Sequence, residues 1–407
     1  MVKIILERSE SSEISSNPGW TLVFGRRKVG KTYMIQNFVP HDVYFSVHTD
    51  RSVSARGFDV TEFPELATFS EATKNLLSGG KTVVIDEFQR LPPGLLERLV
   101  SVHPNGRLIL TGSSMRVTRE LLGNNSPLLG FLRPYAIGMV RPSDAMLSLA
   151  EQIGPEKAVE CAPSLRDPWT IPFFVPERYL ENITDVAKYV VPGLVGEVFT
   201  EDDRAMTGTY ASILSLIGAG YEDYREIANI LNTRGLIKSS SSSGVLPYMA
   251  NMVRMGLLEP LAKYGSKKRV YRIASFPVRL FYFIDSRYGY SERPASWKEM
   301  GPAAEGLLRL GIEDFVGDLF SEALGGRKEL LKEPEREVDV LVTVRGRPAL
   351  VAEVKWGRVS KADVGAFLSK VSDFKCRKVL VTRANVDTDE VEVMTPADLV
   401  NVAKSAR

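Results

Sequence analysis

The sequence predicts an α/β protein whose amino-terminal part is a parallel sheet with helices on both faces. Over residues 1 to about 140, short apolar runs rich in β-branched residues alternate with stretches of helical period, which is typical of that fold. A length of 407 residues allows two to four domains. Hydrophobic residues make up 44% and charged residues 25% of the chain, as in ordinary globular proteins without long disorder.

The hydrophobic periodicity changes along the chain and divides it into four zones. We predict a core at 1–142, an irregular or helical lid region at 143–203, a mainly helical zone at 204–290 and a further α/β zone at 303–407. The predicted strands of the core are Thr21–Phe24, Val43–Val47, Thr82–Asp86 and Leu108–Gly112.

Composition excludes several classes of protein. No apolar run approaches the roughly 18–20 residues of a membrane span, and the charged start of the chain is unlike a signal peptide. Two isolated cysteines, Cys161 and Cys376, indicate a reducing cytoplasm rather than a disulfide framework. With only three histidines, we expect no zinc site, and any metal should be a hard ion such as Mg²⁺.

A phosphate-binding motif follows the first predicted strand. The motif G-x-x-x-x-G-K-[ST] is matched, with a helix starting at Tyr33, by Gly25, Arg26, Arg27, Lys28, Val29, Gly30, Lys31 and Thr32. Its glycines allow a tight turn whose amides face phosphate oxygens at a helix amino terminus. Lys31 should reach the β- and γ-phosphates, and the Thr32 hydroxyl should bind Mg²⁺. The alternative is a glycine-rich turn with a solvated lysine.

Polar residues end two further predicted strands. Asp86 and Glu87 follow one apolar run, at the sheet edge where ligands of open α/β sheets bind. Asp86 suits a Mg²⁺ ligand, and Glu87 is placed to polarise the attacking water; an acidic turn without function is the alternative. Ser113 follows the next strand, where a polar side chain can sense the γ-phosphate; an ordinary strand-end turn is the alternative.

In this order and spacing, GRRKVGKT, VVIDEF and LILTGSS resemble the archaeal ATPase family of AAA+ P-loop proteins. The resemblance implies a P-loop NTPase that binds ATP and Mg²⁺, with Lys31 and Glu87 in catalysis, and it permits a homo-oligomer. The stretch after these motifs is similar to a family segment containing Gly-Arg, although here Phe131 and Leu132 separate Gly130 from Arg133. Arg133 is then either an arginine finger for a neighbouring subunit or a surface arginine.

The zone 204–290 resembles a winged helix-turn-helix, a domain that follows the ATPase in many members of that family. It contains 12 Lys and Arg against 5 Asp and Glu, a net charge of +7, although the whole chain carries only +2. Lys267, Lys268 and Arg269 lie at the predicted hairpin and should contact DNA phosphates. Because proline is tolerated only in a first turn, Pro247 predicts a recognition helix that starts near Leu246. Packing on the ATPase without DNA contact is the alternative.

The last zone carries carboxylates and a lysine in a spaced pattern. Asp339 lies in one predicted strand, and Glu353 and Lys355 share one face of the next because side chains alternate. Glu313 lies on the preceding helix. The pattern resembles the PD-(D/E)XK restriction-endonuclease-like fold, in which Asp339, Glu353 and Glu313 would bind Mg²⁺ and Lys355 would act on water. A salt-bridged hairpin is the alternative.

These patterns favour a Mg²⁺-dependent AAA+ ATPase that controls DNA engagement and carries a nuclease-like domain. A nucleotide-switched DNA-binding regulator without cleavage remains the main alternative. An enzyme acting on a small phosphoacceptor is less consistent, because it leaves the basic middle zone unexplained.

Overall fold

The computed structural model describes residues 4–100, 105–123, 126, 128, 130–202, 207–238, 242–333 and 336–407. Contacts divide the chain into two compact units. The amino-terminal unit is Glu7–Gly138, and the carboxyl-terminal unit joins the residues up to Leu6 to Met139–Arg407.

The amino-terminal unit is built on a sheet of seven strands in the order β4-β3-β2-β5-β6-β1-β7. Its strands are β1 (Trp20–Phe24), β2 (Val43–Val47), β3 (Val53–Arg56), β4 (Glu62–Phe63), β5 (Thr82–Asp86), β6 (Arg107–Gly112) and β7 (Leu132–Ala136). Its helices are α1 (Ser9–Ser16), α2 (Lys31–Phe38), α3 (Leu66–Ser78), α4 (Pro93–Val100) and α5 (Met115–Leu121), with a short 3-10 helix at Phe88–Arg90.

The four strands predicted from sequence are confirmed as β1, β2, β5 and β6. With β7 they pair in parallel, whereas β3 and β4 add an antiparallel edge that the prediction lacked. Helices cover both faces, as predicted. Because side chains alternate along a strand, Val23 packs with Met34 of α2 on one face, while Leu22 packs on the other in the cluster that holds Phe69 of α3.

The carboxyl-terminal unit contains ten helices and seven strands within its described residues. The helices are α6 (Pro142–Ile153), α7 (Pro155–Leu165), α8 (Tyr179–Asp202), α9 (Thr207–Gly218), α10 (Tyr224–Thr233), α11 (Ser242–Arg254), α12 (Phe276–Tyr288), α13 (Trp297–Ala323), α14 (Lys361–Lys370) and α15 (Pro396–Ala406), with a 3-10 helix at Pro168–Phe173. The strands are β8 (Leu258–Lys263), β9 (Arg269–Ile273), β10 (Arg327–Glu333), β11 (Arg336–Val344), β12 (Arg347–Lys355), β13 (Arg377–Thr382) and β14 (Glu392–Met394).

One continuous sheet runs through the carboxyl-terminal unit, in the order β14-β13-β12-β11-β10-β8-β9. The β8–β9 hairpin joins it because β8 pairs in parallel with β10, placing Ala262 opposite Glu329 and Lys263 opposite Leu330. The zones predicted separately at 204–290 and 303–407 therefore share a sheet and its hydrogen bonds.

Three helices precede the hairpin, and their local signals are partly as predicted. The Asp223 side chain accepts a 2.8 Å hydrogen bond from the Arg225 amide and caps α10. The predicted helix start near Leu246 is wrong, because α11 begins at Ser242 and contains Pro247 in its interior. Proline at this position costs one amide hydrogen bond close to the start of the helix, which the packing of the buried Val245 and Met249 offsets. Residues 239–241 of the serine run lie outside the described residues.

The predicted lid region is helical and packs within the carboxyl-terminal unit. Helix α6 lies against α15, and α7 lies against α13. Their buried residues, such as Met146, Val159 and Leu165, belong to the same apolar core as Phe315 of α13. In the part of the chain that the structure describes, no helix combines the length and apolar character needed to cross a bilayer.

Candidate nucleotide site and candidate carboxylate site

The loop after β1 is shaped by two glycines. A Cβ atom on Gly25 would lie 2.0 Å from the Ile137 carbonyl oxygen, so this position requires the bare backbone. Gly30 has φ +88° and precedes the first residue of α2, where the left-handed region favours glycine. The first amides of α2 have no partner within the helix and point toward this loop, which is the usual anion-binding geometry of a helix start.

Lys31 is buried inside the loop. Its Nζ donates hydrogen bonds of 2.8 Å to the Gly25 carbonyl and 3.0 Å to the Arg26 carbonyl. Burial lowers the pKa of this ammonium group to about 8, although Glu87 and Asp86 oppose that effect. The Lys31 ammonium group is thus removed from water and hydrogen-bonded to carbonyl groups of its own loop. A phosphate group would be a stronger, anionic partner for it.

Thr32 and Asp86 meet as the sequence predicted. Thr32 Oγ1 donates a 2.8 Å hydrogen bond to Asp86 Oδ2, and the buried Tyr44 hydroxyl donates one of 2.6 Å to the same oxygen. Burial and the Asp86 charge raise the pKa of Tyr44 far above its usual value. A hydroxyl and a carboxylate side by side form a hard oxygen donor set, which suits Mg²⁺ bound together with substrate phosphates.

Glu87 lies at the end of β5 in a left-handed backbone conformation with φ +57°. Its Oε2 accepts a 2.6 Å hydrogen bond from Gln89 Nε2 and lies 3.6 Å from Arg90 Nη2. Gln89 Nε2 also lies 3.3 Å from Ser113 Oγ, which in turn is 3.4 Å from Arg27 Nε. A polar chain therefore links the phosphate loop to the ends of β5 and β6.

Two residues at the end of β6 complete this edge of the sheet. Thr111 lies between Val23 and Asp86 in the strand register, and its buried hydroxyl has no hydrogen-bond partner among the described residues. A Cβ on Gly112 would lie 2.3 Å from Gln89 Oε1, so glycine there permits the close approach of Gln89. The edge consequently offers polar groups that a bound ligand can satisfy.

The other predicted residues of this unit do not contact Lys31 or Asp86. Arg133 is exposed on β7 opposite Thr21, three residues before the end of β1, and its guanidinium lies 5.3 Å from the centre of the Tyr135 ring. It does not join Lys31 and Asp86 within the unit, so its role as a finger for another subunit stays a prediction. Tyr33 is exposed on α2 and packs edge-on against Phe38, and Lys28 is exposed in the loop.

In the carboxyl-terminal unit, Asp339 lies at an irregularity of β11. Between Val338 and Leu341, β11 advances three residues while β10 advances two, from Glu329 to Leu331. Such a bulge re-aims a side chain and is common beside functional sites. Asp339 Oδ2 accepts a 2.8 Å hydrogen bond from the Val354 amide of β12.

Glu353 lies next to Asp339 across the strand pair, and its carboxylate is buried. Its Oε1 lies 3.0 Å from Lys355 Nζ and 3.3 Å from Lys370 Nζ of α14. Its Oε2 is buried and has no hydrogen-bond partner among the described residues. A buried polar atom without a hydrogen-bond partner is costly, so a cation bound at this oxygen would offset that cost.

The pKa values of two nearby carboxyl groups are shifted upward, toward the neutral form. Burial raises the pKa of Glu313 to about 8, and the charge of Asp339 adds to the effect. Burial and Glu353 likewise raise the pKa of Asp339 to about 6. The charges of Asp339 and Glu353 therefore act on Glu313, and the predicted role of the three residues as metal ligands stays a prediction. Across the described ranges, however, no three His, Cys, Asp or Glu side chains approach closely enough to form a metal cluster.

The hairpin places its basic residues in two different environments. Lys267, Lys268 and Arg269 are exposed. Arg272 is directed inward, with Nε 3.2 Å from Glu222 and Nη1 3.0 Å from Asp314 of α13. Arg272 is thus committed to ion pairs inside the unit, whereas the three residues around the turn are not.

Three contributors to these sites were not found by sequence reasoning. Tyr44 binds Asp86 from β2, Gln89 holds Glu87, and Lys370 binds Glu353 from α14. Each comes from an element outside the motifs, and none carries a spacing that marks it.

The family profile described as an AAA domain matches residues 17–126, the segment that contains the loop, Asp86 and Glu87. Over these residues the chain is similar to an AAA domain, which agrees with the parallel sheet and the glycine loop described above. No match to a curated protein was found.

This chain is similar to three solved structures. The ADP form of the Aeropyrum pernix ORC2 protein is 12% identical, covering 76% of this chain and 95% of that chain with a TM-score of 0.32. The Aeropyrum pernix ORC1 protein in complex with DNA is 12% identical, covering 72% and 95% with a TM-score of 0.29. Cdc6p from Pyrobaculum aerophilum is 9% identical, covering 75% and 93% with a TM-score of 0.25. Scores this low support no further conclusion about this chain.

Proposed function

We propose that the amino-terminal unit binds and hydrolyses ATP with Mg²⁺, and that nucleotide state controls engagement of DNA by the rest of the chain. The observation that carries the proposal is the desolvated Lys31 ammonium held inside a glycine loop beside the Thr32–Asp86 pair. We also propose that the chain is related to the archaeal ATPase family.

The roles follow from the donor set. The loop amides and Lys31 bind the phosphates, and Thr32 and Asp86 would hold Mg²⁺. The ion would neutralise phosphate charge. Glu87 polarises the attacking water. In the protein alone, Gln89 donates a hydrogen bond to Glu87 Oε2, so Gln89 must first release or redirect the Glu87 carboxylate. Catalysis then depends on positioning and preorganised charge.

Nucleotide binding to a Lys31→Ala variant tests this proposal. We expect calorimetry to show ATP binding for the unaltered chain and none for the variant, with turnover lost in parallel. Lys81→Ala is the matched control, since Lys81 is an exposed lysine of the same unit paired with Asp42 at 3.1 Å. Equal ATP affinity in Lys31→Ala and Lys81→Ala would overturn the site assignment.

A second activity is proposed for the carboxylate site: Mg²⁺- or Mn²⁺-dependent cleavage of DNA. The orphaned Glu353 Oε2, beside the re-aimed Asp339 and the half-exposed Lys355, favours it. Asp339 and Glu353 would hold the ion, and Lys355 would orient water and offset phosphate charge. Glu313, which forms no cluster with them in the described structure, would have to move closer to complete the ligand set.

Cleavage is measured with duplex, single-stranded and branched DNA in the presence of Mg²⁺ or Mn²⁺. We expect cleavage by the unaltered chain, loss of it in Asp339→Ala, and retention in Asp387→Ala, which removes an exposed carboxylate of the same unit. An unaltered chain that cleaves none of these substrates would favour the DNA-binding regulator instead.

A further inference from the structure

The turn of the β8–β9 hairpin emerges at the same end of the sheet as the carboxylate site. Strands β8, β10 and β12 run in one direction and β11 runs opposite to them. Through the strand registers, Lys263 at the end of β8 lies level with Asp339 and Val340 of β11 and with Ala352 and Glu353 near the end of β12. Three strand spacings separate β8 from β12, or about 14 Å.

The turn is fixed on the carboxyl-terminal strands. The Tyr264 amide donates a 3.0 Å hydrogen bond to the Leu330 carbonyl of β10, and the Tyr264 ring lies 5.9 Å from that of Phe374. Gly265 at φ +68° and Ser266, whose hydroxyl accepts a 3.1 Å hydrogen bond from the Lys268 amide, shape the turn itself. The hairpin therefore cannot move as an independent wing without breaking the sheet.

Ion pairs between hairpin and helix strengthen this attachment. Asp314 of α13 binds Arg272 of β9 at 3.0 Å and Arg279 of α12 at 2.8 Å. Lys328 of β10 lies 2.6 Å from Asp318 and 3.4 Å from Asp314. This network holds the hairpin, α12, α13 and β10 in one arrangement.

The turn carries positive charge with no internal partner. Lys267, Lys268 and Arg269 are exposed, and none of them forms an ion pair with any residue the structure describes. Three adjacent cations on a rigid turn repel one another, so an anionic ligand stabilises the turn.

The acidic residues between the turn and the carboxylate site already have basic partners. Arg336 binds Asp373 at 2.8 Å and lies 3.4 Å from Glu333, while Lys332 lies 3.5 Å from Glu337. These two cations and three carboxylates leave a net charge of only −1, and each carboxylate lies within 3.5 Å of a cation, so this stretch does not exclude a polyanion.

We propose that the hairpin turn is the phosphate grip of the carboxylate site, and that one DNA duplex lies across this end of the sheet. Lys267, Lys268 and Arg269 bind backbone phosphates about four base pairs from the phosphate that Lys355 contacts, since about 14 Å corresponds to four steps of 3.4 Å. The inference rests on the proposed DNA-binding and cleavage function of this unit. It means that the turn and the carboxylate site contact the same DNA molecule. The turn is then part of this site and not a separate, movable wing.

Binding of a labelled duplex to the full chain, in EDTA to prevent cleavage, tests the inference. The duplex has about 20 base pairs, long enough at 3.4 Å per pair to cover both groups. The variants are Lys267→Ala/Lys268→Ala and Lys355→Ala. The control is Lys298→Ala/Lys404→Ala, which removes two exposed lysines from helices α13 and α15. Circular dichroism confirms that each variant is folded.

We expect one duplex per chain, weakened by both test variants and unchanged in the control. The slope of log affinity against log salt should fall by about 2 for the turn variant and about 1 for Lys355→Ala. Two duplexes per chain, each lost in only one variant, would overturn the inference, as would an unaltered slope in the turn variant or no duplex binding at all. Intact binding without cleavage in Mg²⁺ would instead contradict the proposed nuclease and leave the shared grip standing.

Discussion

Thr32 Oγ1 and Asp86 Oδ2 lie 2.8 Å apart, joining the first turn of α2 to the end of β5 across the intervening strand β6. Tyr44 donates to the same Asp86 oxygen, and the Glu87 amide donates a 3.0 Å hydrogen bond to Asp86 Oδ1. Asp86 is therefore positioned by three donors before any ligand is bound, which reduces the reorganisation that Mg²⁺ binding requires.

Replacing Tyr44 with phenylalanine should destabilise the amino-terminal unit. The change removes one donor from a buried carboxylate, which typically costs about 1–3 kcal/mol. Chemical denaturation should show this loss of unfolding free energy for Tyr44→Phe. Tyr33→Phe, at a tyrosine that is 44% exposed, should change stability by less than about 0.5 kcal/mol. Equal stability of the two variants would show that the Tyr44 hydrogen bond does not stabilise Asp86.

Replacing Glu87 with glutamine should separate ATP binding from hydrolysis. Glutamine retains an oxygen that accepts the Gln89 hydrogen bond but cannot polarise water as a carboxylate does. We expect ATP affinity within a few-fold of the unaltered chain and a turnover lower by about 10²–10⁴. Binding is measured by calorimetry and turnover by phosphate release.

Glu97→Gln is the matched control for that experiment. Glu97 is an exposed carboxylate on α4 of the same unit, so its replacement should leave both quantities unchanged. Turnover that persists in Glu87→Gln would remove Glu87 from the catalytic assignment.

The sequence predicted the phosphate loop well because its parts are local. Gly25, Gly30 and Lys31 act within eight residues, and a strand and a helix on either side fix their geometry. Asp86 was predicted from its place after an apolar strand, since parallel strands end at one edge of a sheet. Tyr44 was missed because a buried tyrosine on a neighbouring strand has the same pattern as an ordinary core residue.

The sequence also did not predict that the β8–β9 hairpin joins the sheet of the carboxyl-terminal strands. Pairing between β8 and β10 depends on backbone hydrogen bonds, which leave no residue signature. The same holds for Arg272, which lies on β9 of the basic hairpin. Its pairing with Asp314, 42 positions along the chain, depends on how α13 packs. The start of α11 was placed wrongly because tertiary packing tolerates Pro247 where isolated helices do not.

Lys328 should contribute strongly to the stability of the carboxyl-terminal unit. Burial lowers the pKa of its ammonium group, but Asp318 and Asp314 outweigh burial and raise it. Lys328→Ala leaves both carboxylates with less compensation, a change that typically costs about 3–5 kcal/mol. Lys332→Ala, on the same strand and 54% exposed, should cost less than about 1 kcal/mol. Denaturation midpoints that agree between the two variants would contradict a stabilising network.

Glu259 should make the stability of this unit depend on pH in a defined direction. Burial raises the pKa of the Glu259 carboxyl to about 7; Asp318 and Asp314 add to this effect, while Lys328 and Arg272 oppose it. In the unfolded chain a glutamate has a pKa of about 4.3. Because the folded state holds the proton more tightly, the stabilising contribution is complete below pH 4.3 and is lost as pH rises through 7.

Glu259→Gln removes this titration while keeping the shape of the side chain. We therefore expect the variant to gain stability relative to the unaltered chain as pH rises from 5 to 8, measured as the difference between their thermal midpoints. Glu337→Gln, at a carboxylate that is 57% exposed on β11, is the control, and its difference from the unaltered chain should stay constant over the same range. If the stability of Glu259→Gln relative to the unaltered chain stayed constant or fell toward pH 8, Lys328 and Arg272 would keep Glu259 ionised throughout.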